Sequence, residues 1–377
     1  MNIRIIVAVF LLSSITLSSF AQSNQAEACI SKMMSQSEVV GLAVAVVKNN
    51  KVVYNHSFGW KNLETREPLS NENIFRIASI SKSFSATAVM QLVEDKKLSL
   101  DDDIGDLVGF KVRNPLYPDK VITLRMVLSH LSSINDSQGY FTLDAINPDK
   151  NPDWAKCYSD WEPGTKYRYC NLNYNMTGTI IEKISGERFD QYVKRHILDP
   201  LKLYGGYWIA SLDSTKFASI YEYNGDTKQS DYMPAAYAPR TEEIANYMMG
   251  YSTPIFSPTG GMKISANDLA EYMIMHMKQG KHRGKRIMSK KSAREMQTSL
   301  SPEGYGLAIG TTERLVPDEK LKGHTGSAYG LYSAMYFRPK EKWGVVVISN
   351  GCHPGYAEGF NTVIRKTVDC LYQSFIK

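Results

Sequence analysis

Ser79 and Lys82 stand three residues apart in Ser79-Ile80-Ser81-Lys82, a spacing that puts both on one face at the start of a helix. There the lysine amine reaches the serine hydroxyl, which is a poor nucleophile until a neighbouring base takes its proton. A lysine serves as that base once burial or nearby charge lowers its pKa. The helix start also turns the Ser79 N–H toward a developing oxyanion. A second group is Tyr169-Cys170-Asn171, set between the turn Pro163-Gly164-Thr165 and a helix near Tyr174. It can present Tyr169 and Asn171 on one side with Cys170 turned away. A tyrosine beside a protonated lysine loses some of its high pKa and can act as a general base. The third group is His324-Thr325-Gly326-Ser327 at the end of a strand. Its small residues let a substrate backbone lie along the strand edge, and the Ser327 N–H can supply a second oxyanion donor.

These residues need a frame. Val39–Val47 and Lys51–Gly59 read as strands joined by Asn49-Asn50, a hairpin signal. Helices are expected at Glu27–Ser35, Ser79–Lys96, Ile122–Leu131, Asn173–Ile184 and Ser265–Gln279, the last capped by Ser265 with Asp268 in its first turn. Tyr204–Thr259, rich in Tyr, Ser and Pro, reads as loops over a site. Strands return at Tyr305–Thr312, Lys320–Thr325, Leu331–Arg338 and Trp343–Asn350, and Pro354–Phe375 closes the chain as a helix. Strands at both ends with helices between imply one sheet drawn from both ends and a helical insertion. The expected organisation is one catalytic unit over residues 22–377. Its sheet lobe comes from about 27–97 and 300–377, and its mainly helical lobe and loops from about 98–299.

The first residues differ from the rest. Met1–Arg4 is basic, Ile5–Leu12 is nearly continuous hydrocarbon, and Ser19-Phe20-Ala21 has the small-x-small form that signal peptidase reads. A signal peptide over 1–21 is expected, with a mature protein that is exported, periplasmic or secreted, and not stably inserted in a membrane. Formal charge is only +6, without the sustained basic face that nucleic acid requires; Lys278–Arg286 reads as a solvated loop. The five cysteines form no C-x-x-C, and the seven histidines are dispersed, which disfavours zinc. Either free buried thiols or disulfides fit that odd count. There is no G-x-S-x-G nucleophile elbow and no H-E-x-x-H.

The order S-x-x-K, Y-x-N, H-T-G resembles the serine β-lactamase-related family, which includes class C β-lactamases, D-alanyl-D-alanine carboxypeptidases, D-aminopeptidases and esterases. Val121–Leu131, Pro258–Leu269, Tyr305-Gly306-Leu307 and Val345–Gly351 add to the resemblance, which covers nearly all of residues 22–377. It implies an α+β fold: an antiparallel sheet of about five strands from both chain ends, helices on both faces, and an inserted mainly helical lobe. It also implies Ser79 as acylated nucleophile, Lys82 as its proton partner and Tyr169 as general base and acid. Asn171 would hold the substrate amide. His324, Thr325 and Gly326 would contact the substrate carboxylate or strand, and the N–H groups of Ser79 and Ser327 would form the oxyanion hole. No cofactor or metal is implied, and the expected partner is a small-molecule or peptide substrate. Class C β-lactamases usually carry Lys where this chain has His324, so a peptide, amide or ester is the expected substrate ahead of a β-lactam. Acyl transfer through the same acyl-enzyme and a slowly deacylating penicillin-binding sensor are the alternatives. Leu131-Ser132-Ser133, where relatives often show Thr-Ser-Gly, is a second departure.

Overall fold

The computed structural model describes residues 21–377, so the leader read at 1–21 lies outside the described residues except for Ala21. Gly41–Lys48 and Lys51–Asn62 form the expected hairpin. Asn49 and Asn50 both take left-handed φ, +54° and +59°, the paired conformation that a two-residue turn between twisted strands demands. Leu321–Ala328, Leu331–Arg338 and Trp343–Gly351 form an antiparallel meander. Its last strand pairs with Gly41–Lys48, Val347 opposite Val44. The sheet is therefore antiparallel and built from both ends of the chain. Two short edge pieces, Gly310–Thr312 and Glu67–Pro68, bring it to seven strands around the five long ones.

The central strands are apolar on both faces because both faces are covered. Leu42, Val44 and Val46 point into one cluster with Ile30, Val345, Val368 and Leu371. That cluster lies under the helices at residues 21–34 and Thr362–Phe375. Ala43, Ala45 and Val47 point the other way, toward Leu269 and Met273 of the helix Ala266–Met277. Ser265 caps that helix as expected, accepting from Asp268 N. A disulfide joins Cys29 to Cys370 across the two helices of the first face, with Cα atoms 5.8 Å apart. Cys157, Cys170 and Cys352 are buried and free. Both answers to the cysteine question therefore hold, each for different residues.

Between the two parts of the sheet, two buried helices, Ser81–Glu94 and Asn171–Ser185, pack on one another. Several elements are shorter than their apolar patterns suggest. Ile122–Leu131 contributes only Leu124–Leu128, capped by Thr123. Tyr305–Thr312 contributes only Gly310–Thr312. Its apolar Leu307, Ala308 and Ile309 enter the core from a loop in which Ala308 has φ +63°, so burial there needed no strand. The final helix starts at Thr362, where Asn361 accepts from Val363 N and Ile364 N. Tyr204–Thr259 holds only short elements, such as the hairpin Tyr221–Asn224/Gln229–Tyr232. Among the described residues no helix is long and apolar enough to cross a membrane.

Candidate active site

Ser79 sits in the tight turn Ala78–Ile80, one turn ahead of the helix Ser81–Glu94. The helix does not begin at Ser79 as its pattern suggested, because Ala78 has φ +46°. That left-handed step is uncommon for a residue with a Cβ and reverses the chain before the helix starts. Lys82, in the first turn, is wholly buried. Its Nζ lies 3.1 Å from Ser79 Oγ, 2.9 Å from Asn171 Oδ1 and 3.0 Å from Thr259 O, so three acceptors hold an amine with three donors in one place. Burial lowers the Lys82 pKa to about 7, against an opposing pull from Asp136. Near neutral pH this amine is therefore poised to accept a proton.

Tyr169 lies with its ring centroid 4.7 Å from Lys82 Nζ. Its electrostatics run against the expectation from sequence. Burial pushes the phenol far up, and the neighbouring Ser79 offsets only part of that. Desolvation dominates the reversal, and the neighbouring Tyr167, Asp136 and Cys170 add to it. The Tyr169 hydroxyl is buried beside Ser79 but makes no well-formed hydrogen bond among the described residues. In the free protein it is a protonated phenol, able to donate a proton before it can accept one.

Asn171 opens the helix Asn171–Ser185, and both ends of its amide are engaged within the protein. Oδ1 accepts from Lys82 and from Thr259 Oγ1 at 2.9 Å, while Nδ2 donates to Asp136 Oδ2 at 3.0 Å. Asp136 also accepts from the N–H groups of Asn171 and Leu172 at 2.8 and 2.9 Å, a carboxylate at a helix N-terminus where the dipole favours it. Cys170 turns away from the cleft, as expected, and its Sγ approaches the same carboxylate at 3.1 Å. Sequence reasoning missed Asp136. It lies in an irregular stretch, and no local pattern links it to a helix that begins thirty-five residues later.

The strand Leu321–Ala328 brings the third group to the same cleft, of about 570 Å³, lined by Ser79, Tyr169, Asn171, His324, Thr325, Gly326 and Ser327. A Cβ on Gly326 would meet Ile77 O at 2.3 Å and Ser333 Oγ at 2.5 Å, so glycine is what lets this strand lie against the Ser79 turn. His324 Nε2 pairs with the Tyr305 hydroxyl at 2.9 Å and Nδ1 with Thr325 O. Burial, with Lys82 nearby, lowers its pKa to about 4. His324 is therefore neutral and fully engaged at neutral pH. Tyr305 lies in a stretch already noted for resemblance, but its pairing with His324 was not foreseen. Tyr140 and Phe141 add an aromatic part to the cleft wall.

Residues 26–369 match the family model described as Beta-lactamase. Protein flp of Staphylococcus aureus (strain MW2) is 24% identical over 341 residues, which is 86% of this chain and 62% of that protein. The chain thus spans less than two-thirds of that relative's length. The octameric penicillin-binding protein homologue from Pyrococcus abyssi superposes with a TM-score of 0.73 at 28% identity, over 93% of this chain and 77% of that one. D-amino acid amidase from Ochrobactrum anthropi SV3, complexed with D-phenylalanine, shares the fold with a TM-score of 0.73 at 19% identity, over 94% and 98% of the two chains. With the family match running through both ends of the sheet and the whole insertion between them, the chain belongs to the serine β-lactamase-related family.

Proposed function

We propose that this protein is an exported serine hydrolase that acts through an acyl-enzyme on Ser79, on a peptide, amide or ester. The observation that carries the reading is the Lys82 amine, buried, lowered to about 7 and 3.1 Å from Ser79 Oγ in a substrate-sized cleft. Ser79 Oγ attacks the carbonyl carbon as its proton passes to Lys82 Nζ, and the carbonyl electron pair moves onto oxygen. The N–H groups of Ser79 and Ser327 face that oxyanion. Collapse re-forms the carbonyl, breaks the bond to the leaving group, and returns a proton to it from Lys82 by way of Tyr169. Water then repeats the sequence on the acyl-enzyme and releases Ser79. In the free protein the base is Lys82, with Tyr169 as donor and relay. Asn171 and Asp136 fix the amine.

A neutral His324, bonded through both nitrogens, favours the peptide or ester reading over β-lactam hydrolysis. At that position it offers no cation to a β-lactam carboxylate, and the cation that lines the cleft, Arg76, lies instead on the side toward the second cavity. The Cys29–Cys370 disulfide supports export, since such bonds persist in oxidising compartments. The test is a fluorophosphonate adduct mapped by mass spectrometry, followed by a substrate panel. The panel holds a D-Ala-D-Ala peptide, a D-aminoacyl amide, a chromogenic cephalosporin and a short-chain aryl ester. An adduct at a residue other than Ser79, or labelling that survives Ser79→Ala, refutes the assignment. An acyl-enzyme that forms and persists identifies a sensor instead.

A further inference from the structure

Beside the catalytic cleft lies a second, small cavity, and Arg76, Phe141, Ser257 and Tyr329 line both. We infer that this side cavity is an anion subsite, which takes a carboxylate borne on a short apolar arm of the substrate. The inference rests on Ser79 being the acylated residue.

Charge is the first argument. Arg76, Arg240 and Lys263 line the side cavity, and no acidic side chain lines either space. Arg240 is neutralised by Glu243 at 3.0 Å. Arg76 and Lys263 have no ion-pair partner among the described residues. Arg76 spends its Nε on Gly260 O at 2.9 Å, Nη1 on Ala236 O at 3.2 Å and Nη2 on Ser257 Oγ at 3.4 Å. A guanidinium carries five N–H donors, so two are left over. Lys263, 4% exposed, gives one of its three to Tyr207 O at 2.5 Å. Arg76 is half-buried and Lys263 is buried, and neither has a carboxylate among the described residues to offset the desolvation of its charged form. The carboxylate that influences Lys263, Asp190, is already held by Arg188 at 2.6 and 2.9 Å.

Size and walls select the ligand. The cavity measures about 40 Å³, room for a few water-sized atoms at roughly 10–15 Å³ each. That admits the three heavy atoms of a carboxylate and excludes a ring. Phe141, Trp208, Ile244 and Phe256 supply the apolar approach. Burial, and after it the Arg76 charge, depress the Lys263 pKa, and an arriving anion opposes that shift by favouring the charged amine.

The test compares 4-nitrophenyl hydrogen adipate with the ester that carries a terminal carboxamide in place of the free acid. Nitrophenol release is followed through its first turnover, so that acylation is read even if deacylation is slow. Fluorophosphonate titration of Ser79 normalises each preparation. We expect the acid to acylate about 10- to 150-fold faster than the amide, the range of one charge-assisted contact. The ratio should fall toward one in both Lys263→Met and Arg76→Gln. Because it is a ratio within each preparation, partial misfolding of a variant does not alter it. A wild-type ratio near one, or a ratio that neither substitution changes, overturns the subsite while leaving Ser79 in place. Absence of both label and nitrophenol release overturns the Ser79 reading, and the subsite falls with it.

Discussion

On one face of the sheet, Ile30, Leu42, Val44, Val368 and Leu371 interlock without exposure, and a disulfide ties the two covering helices. Across the sheet and past the Ser79 turn, the protein buries an amine, a phenol and a neutral histidine within one cleft. The first region gains stability from apolar area removed from water. The second gives some up to desolvate polar groups, which brings the Lys82 amine to about 7, where proton transfer is possible near neutral pH. A third place keeps the contrast from being too simple. His276 is fully buried, its pKa lowered to about 3, and both ring nitrogens lack partners among the described residues. It lines neither cavity. A shifted pKa alone therefore does not single out a site; three acceptors around Lys82 and an open cleft beside it distinguish the candidate site.

The comparison can be broken most sharply at the nucleophile. Ser79→Ala should abolish fluorophosphonate labelling and lower turnover by about 10⁴-fold or more, with the melting temperature little changed. Retained turnover would move the chemistry elsewhere. Next come Lys82→Ala and Tyr169→Phe, each expected to slow acylation by at least ~10²-fold while substrate binding falls much less. If Tyr169→Phe acylates at the wild-type rate, Tyr169 is packing and the proton leaves through Lys82 alone.

In the proposed mechanism the neutral Lys82 amine is the base, so kcat/KM should rise with pH through about 7 and level off above it. Below that value the amine is protonated and cannot accept. A profile flat from pH 5 to 8 would assign the base to another group. A smaller effect concerns His324. Cephalosporin turnover should trail the aryl ester or D-aminoacyl peptide by roughly 10- to 150-fold, the worth of one missing charge-assisted contact. A cephalosporin that outpaces both would return the protein to the lactamases.

The smallest effect on activity should come from the far face. Cys29→Ser/Cys370→Ser should lower stability by about 2–4 kcal/mol, read as the denaturant midpoint. Activity at 25 °C should stay within about twofold. A large loss of activity in a folded sample would mean that the two faces are coupled and the contrast between them is false.

Sequence alone determined the parts of this protein that are written locally. Ser79 lies in the tight turn that runs directly into the helix of Lys82, so their three-residue spacing set their proximity, and 3.1 Å is the outcome. The hairpin at Asn49-Asn50 and the strand Leu331–Arg338 followed from turn chemistry and apolar runs. Motif order gave the family, and with it a sheet made from both ends. Tertiary structure decided what depends on burial and on distant partners. Asp136 reaches the start of a helix thirty-five residues on, and Tyr305 binds a histidine nineteen residues on. Arg76 comes opposite Lys263 across two short strands and lines the side cavity with it. The electrostatic order of the site belongs here too. Sequence placed Tyr169 beside a lysine and so implied a lowered phenol pKa. Desolvation, which exists only once the chain has closed over both groups, raises the phenol and lowers the amine. Charge partners can be guessed from residue types, but the dielectric around them is a property of the folded whole.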